Sequence, residues 1–153
     1  MTGIVKAYAD TSVYGGAFDK EFDRASISFF KKVTDGSIEL YTSDVIRREM
    51  EQAPAQIHNF FDGLLPRATV VEITKEMLEL QQAYIKQGVL GKKSYDDALH
   101  IAIATVSGVD LIVSWNFKHI VNYRKIPLFN AVNTLKGYKP IAIHSPMEVV
   151  HAE

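Results

Sequence analysis

The sequence predicts an α/β domain built on a central, mostly parallel sheet of four to five strands. Three observations lead there. Short β-rich runs alternate with stretches of helical periodicity along the whole chain. The helical stretches carry start and stop signals. No internal repeat, low-complexity tract or linker divides the 153 residues, so one domain over 1–153 is expected.

The first strand is predicted over Val5–Ala9 and runs straight into Asp10-Thr11-Ser12. Gly15 and Gly16 lack the spacing of a dinucleotide fingerprint or a P-loop and read as a flexible turn. "FDRASISFFKKVTDG" repeats apolar residues at helical spacing and stops at Gly36. A second strand is predicted over 37–42, and Ser43 is an N-cap for "SDVIRREMEQ", which Pro54 interrupts. After a variable middle, a third strand is predicted over 69–73. Thr74 caps "TKEMLELQQAYIKQG" and Gly88 ends it. "SYDDALHIAIATVSG" runs from Ser94 to Gly108, and Ser94-x-x-Asp97 fits a capping box. The last two strands are predicted over 111–114 and 140–144.

Composition excludes several classes. Seventeen Lys+Arg against eighteen Asp+Glu give a net charge of −1, which is not the balance of a general polyanion binder. A local basic patch is enough for nucleic acid, and Lys31, Lys32, Lys118, His119, Arg124 and Lys125 are the candidates. Without cysteine there is neither a disulfide framework nor a thiolate metal site. No apolar run approaches the roughly 20 residues of a membrane span. "MTGIVKAYADTS" lacks the features of a signal peptide, so a cytoplasmic location is expected.

Ligands of open parallel sheets bind beyond the carboxyl ends of the strands, so the residues just past each strand carry the most information. The first strand ends in Asp10-Thr11-Ser12. The second ends in Thr42-Ser43, with Glu49 two turns into the next helix. Asp96-Asp97 open a long helix, and "LIVS" ends in Ser114-Trp115-Asn116. Each residue has a local explanation: an Asp or Ser turn, an acid at a helix start, a charged helix face. Three carboxylates at one rim, however, repel one another unless a cation neutralises them. Mg²⁺ or Mn²⁺ prefers oxygen ligands, keeps several waters and serves phosphoryl transfer, with Ser12, Ser43, Ser114 and Asp96 as supporting groups. His100 lies on the same helix side as Asp96 and Asp97 and reads either as a packing residue or as a partner of the acids. Trp115 reads either as core or, with Lys118 and His119, as a base-stacking and phosphate-holding surface.

The Asp-x-Ser after the first strand, Ser43-x5-Glu49, "DDALHIAIA" and "VSWNFKHI", in this order, resemble the PIN-domain ribonucleases, in particular VapC-type toxins of toxin–antitoxin pairs. The resemblance spans Val5 to His119, and "GY" with "IHSPMEVV" extends it to the tail of one subgroup. It implies a three-layer α/β/α domain and an Mg²⁺- or Mn²⁺-dependent endoribonuclease. It also implies an RNA substrate, a cognate antitoxin protein and a homodimer. Asp10, Glu49 and Asp97 match the family's metal-binding acids, and its fourth catalytic position falls on Asn116, where an Asp is common. That departure weakens a second metal site.

Two readings compete. One is a PIN-like scaffold without efficient chemistry, supported by Asn116 alone. The other is a different phosphotransfer fold. A haloacid-dehalogenase-like phosphatase needs a second Asp where Ser12 stands, and the acid pattern of a response-regulator receiver is incomplete.

Overall fold

The computed structural model describes residues 3–151. The β-rich runs pair into one five-stranded sheet: β1 (Val5–Ala9), β2 (Ile38–Ser43), β3 (Thr69–Val71), β4 (Leu111–Val113) and β5 (Ala142–His144). The order is β3-β2-β1-β4-β5, and every pairing is parallel. Ala7, Tyr8 and Ala9 of β1 and Leu111, Ile112 and Val113 of β4 are buried, as strands covered on both faces must be.

Among the described residues, eight helices cover the sheet: α1 (Thr11–Gly16), α2 (Asp23–Thr34), α3 (Asp44–Glu51), α4 (Ala55–Leu64), α5 (Lys75–Lys86), α6 (Tyr95–Ser107), α7 (Ile126–Leu135) and α8 (Pro146–Val150). Helices α1 to α4 and α8 pack among themselves, and α5 to α7 form the other layer. The chain winds outward from β1 through β2 to β3, then returns to β4 on β1's other side. The reversal lies between β1 and β4, the place where open α/β sheets form a crevice. No described helix is long and apolar enough to cross a membrane.

Several local expectations hold for the reasons given. Ser43 accepts a hydrogen bond from the Ile46 N–H, and Thr74 accepts one from Met77. Gly36, Gly88 and Gly108 all adopt positive φ beyond the ends of α2, α5 and α6.

Others are corrected. Gly15 and Gly16 are not a free turn; they close α1, a six-residue helix that the Asp10 side chain caps by accepting from Ser12 N–H. Pro54 does not merely interrupt: its extended backbone precedes α4. Ser94 makes no capping bond, because it sits in a single 3₁₀ turn (Lys92–Ser94) without the extended backbone a cap requires. Helices α7 and α8 were not anticipated, although "SPME" at α8 carries a capping box with proline in the first turn.

Candidate active site

The register of β1 on β4 pairs Ala9 with Val113, so the residues that leave the two strands, Asp10 and Ser114, emerge side by side. Asp10 is only 4% exposed. Its Oδ1 accepts from the Ser12 hydroxyl at 2.5 Å and the Ser12 N–H at 3.1 Å; its Oδ2 accepts from the Ser114 hydroxyl at 2.6 Å. Ser12 Oγ in turn accepts the Trp115 N–H at 2.9 Å, and Ser114 Oγ accepts the Asn116 N–H at 2.9 Å. Two serines thus lock the first acid to the loop after β4. Asp10 caps α1 and faces the crevice at once.

Asp97 enters from the first turn of α6, half-buried. It stands close enough to Asp10 to oppose that residue's charge. Asn116 accepts the His119 N–H on Oδ1 at 2.9 Å, which turns its NH₂ toward Asp97, where it favours the ionised form. His119 also attracts Asp97, and its own Nδ1 has no hydrogen-bond partner among the described residues.

Glu49 comes from α3. Its Oε1 accepts the Thr11 hydroxyl at 2.7 Å and lies 3.0 Å from His100 Nε2. His100, 3% exposed, rises from α6 beneath the acids; its Nδ1 lies 2.8 Å from the Tyr8 hydroxyl, which is 2.9 Å from Ser43 Oγ. A continuous chain therefore runs Ser43–Tyr8–His100–Glu49–Thr11, buried from Ser43 to His100 and half-buried at Glu49 and Thr11.

The charges differ in setting. Burial pushes the carboxyls of Asp10 and Asp97 above the usual range, against the pull of nearby histidines and donors. Burial also acts upward on Glu49, but the His100 bond and charge and the Thr11 hydroxyl outweigh it and hold Glu49 below its ordinary value. Burial lowers His100, yet Glu49, Asp10 and Asp97 together raise it. Two acids resist ionisation while the third is secured as an anion.

The rim therefore suits a hard divalent cation in part. Two crowded carboxylates with hydroxyl and amide oxygens beside them match its donor preference. Among the described residues, however, no group of three His, Asp or Glu side chains is placed to hold one ion. The Oε1 of Glu49 is already engaged by His100 and Thr11.

Asp97 thus stands near both Asp10 and Asn116, with Ser12 and Ser114 in direct support of Asp10, while Glu49 is joined to them through His100 and Ser43 acts through Tyr8. Asp96 is exposed one residue earlier and adds to the charge that opposes Asp97's ionisation. Trp115 is corrected as a nucleic-acid contact. It is 8% exposed, stacks on Phe22 at 4.3 Å and donates its indole N–H to Ser26 Oγ at 2.8 Å, so it is core. The exposed ring beside it is Phe117, at 51%, next to exposed Lys118. Lys31 and Lys32 close α2, which feeds the amino end of β2, the sheet edge opposite the site. Thr11 and Tyr8 were missed; Tyr8 lies two residues before Asp10 and hence on the same face of β1, which was a legible signal.

No protein-family model matches the chain, and no curated protein matches it in sequence. In shape it is similar to a chain in the crystal structure of VapBC2 from Rickettsia felis bound to a DNA fragment from their promoter. The TM-score is 0.56 at 13% sequence identity, covering 92% of this chain and 98% of that one. Likeness at that identity speaks to the fold alone: the protein is an α/β domain of the three-layer, PIN-like kind.

Proposed function

We propose that the protein is a Mg²⁺- or Mn²⁺-dependent endoribonuclease, the toxin of a toxin–antitoxin pair. The observation that supports it best is the approach of Asp10 and Asp97 beyond β1, both pushed above the ordinary carboxylate range by burial, with Glu49 joined to them through His100. The neighbour's being a VapBC2 complex agrees with the VapC-like motifs and supports an antitoxin partner. A homodimer is part of the same proposal.

Asp10 and Asp97 would hold the ion directly, and Glu49 would stand beside it as a fixed anion. Bound there, the ion would supply water activation and would stabilise charge on the leaving oxygen. The chain does the rest. Ser12 and Ser114 fix Asp10, Asn116 keeps Asp97 ionised, and exposed Phe117 and Lys118 would stack on a base and hold a phosphate. His119, beside Asp97, would face the same strand of RNA.

The test is cleavage of single-stranded RNA by the purified chain with Mn²⁺, with EDTA, and in Asp10→Asn and Asp97→Asn. Metal-independent cleavage, or full activity in both variants, overturns the proposal. The engagement of Glu49 by His100 favours one rival, a PIN-like RNA- or protein-binding scaffold. Absence of any thermal shift with millimolar Mn²⁺ would select that reading.

A further inference from the structure

The buried chain that ends on Glu49 has more order than a packing contact needs. His100 and Tyr8 are almost wholly enclosed, and both imidazole nitrogens are used: Nδ1 toward Tyr8 at 2.8 Å and Nε2 toward Glu49 at 3.0 Å. Glu49 cannot donate while ionised, so Nε2 must carry the proton. Tyr8 sits between Nδ1 and Ser43 Oγ and can donate to one and accept from the other. The hydroxyl therefore suits a neutral imidazole or an imidazolium, and both of those forms present N–H to Glu49. Only the neutral Nδ1–H tautomer breaks the chain. Thr11 donates to the same Oε1, so one carboxylate oxygen of Glu49 is held by two side chains.

The structure assigns to His100 the part of a positioning residue: braced by Tyr8 and Ser43, it holds Glu49 in one orientation beside the Asp10–Asp97 pair. This rests on the proposed acidic hydrolase site. A partner of this kind typically controls metal affinity or activity by about 10- to 100-fold, because the group it orients loses its place rather than its identity.

Two arms test the assignment. The first needs neither metal nor activity. In protein labelled with ¹⁵N at histidine, the His100 signal, identified by its loss in His100→Gln, should report a protonated Nε2 at every pH where the chain is folded. A neutral Nδ1–H tautomer overturns the proposal. The second compares His100→Ala with His100→Gln, whose side-chain amide can still donate to Glu49. His100→Ala should lower Mn²⁺ affinity, read from the electron spin resonance of free Mn²⁺, by about tenfold or more, and should lower kcat with KM little changed. His100→Gln should recover most of both. Equal behaviour of the two variants, or wild-type behaviour of His100→Ala, overturns it. If His100→Ala fails to fold, the tautomer and His100→Gln decide. If the wild-type chain cleaves no RNA, the nuclease reading fails, while the tautomer and the Mn²⁺ titration still judge the positioning role.

Discussion

Alanine at Gly16 would put its Cβ 2.6 Å from Trp115 Nε1, 2.8 Å from Trp115 Cδ1 and 2.7 Å from Ser26 Oγ. Ordinary carbon contacts lie at about 3.5–4.0 Å, so the neighbours must retreat by roughly 1 Å. They are poorly placed to do so. Trp115 is stacked on Phe22 and bonded to Ser26, and Ser26 donates to the Val13 carbonyl at 2.9 Å. Overpacking costs about 1–3 kcal/mol, and a buried indole N–H stripped of its acceptor about 1–3 kcal/mol more. Reduced freedom of the unfolded chain returns ~0.4–1 kcal/mol. The expected net loss is about 2–4 kcal/mol, a fall in Tm of about 5–15 °C for a domain of this size. Gly15→Ala is the internal control. Its Cβ meets only Ile57 Cδ1, at 3.8 Å, so it should hold or slightly raise the Tm. Thermal and urea melts of both variants decide the matter. A Gly16→Ala melt within about 2 °C of wild type, or equal losses in the two variants, would refute the close approach as the reason for glycine.

The site supports three further expectations. Asp97→Asn should raise the Tm in EDTA at neutral pH: burial lifts the folded-state pKa of Asp97 above its unfolded value of 3.8, so the ionised form is a net cost above that folded pKa. The cost fades as pH falls through the raised pKa, so the gap between variant and wild-type melts should close toward pH 4; a gap that widens on acidification counts against it. Asn116→Asp should lower the metal-free Tm by about 1 kcal/mol equivalent, since a donor to Asp97 becomes another anion, and Mn²⁺ should restore it. An unchanged melt in EDTA speaks against that geometry. Phe117→Ala should weaken RNA binding by about 5- to 100-fold, the worth of one stacked base, and leave the Tm alone. Trp115→Phe should instead lower the Tm through the lost bond to Ser26. The reverse pattern would restore Trp115 as the contact.

All five strands and four of the helices are legible: β1 and β4 read as apolar runs because they are buried, the more exposed β3 and β5 read from β-rich composition between helical patterns, and the four helices carry their period and caps in sequence. The placement of Asp10 beside the end of β4 was legible for another reason: topology puts the ends of neighbouring parallel strands together whatever intervenes. What stayed hidden was direction. A tryptophan beside a basic stretch has the same letters whether it stacks on Phe22 or on a base, and only a glycine 99 positions earlier, Gly16, makes room for it to turn inward. Nothing in the sequence marks Thr11 as a partner of Glu49: Asp10 caps α1, and Thr11, one residue later, bonds Glu49 on a helix 38 residues away. The short helices α1 and α8 have too few turns for periodicity to mark them, and α4 and α7 start without a side-chain cap in sequence.

Asp10 resolves what first looked like a choice between a structural cap and a functional acid. A carboxylate that accepts Ser12 N–H, Ser12 Oγ–H and Ser114 Oγ–H has three donors, yet burial still pushes it above the ordinary range. Those donors tie β1 to the loop after β4 and so fix where the acid stands; they do not neutralise it. Orientation has been secured and charge has been left over. Had the fold needed only a helix cap, asparagine would cap as well without the buried charge. The residue that keeps the charge stands near a second acid that burial also pushes above its ordinary range, and that buried charge is what a cation would offset.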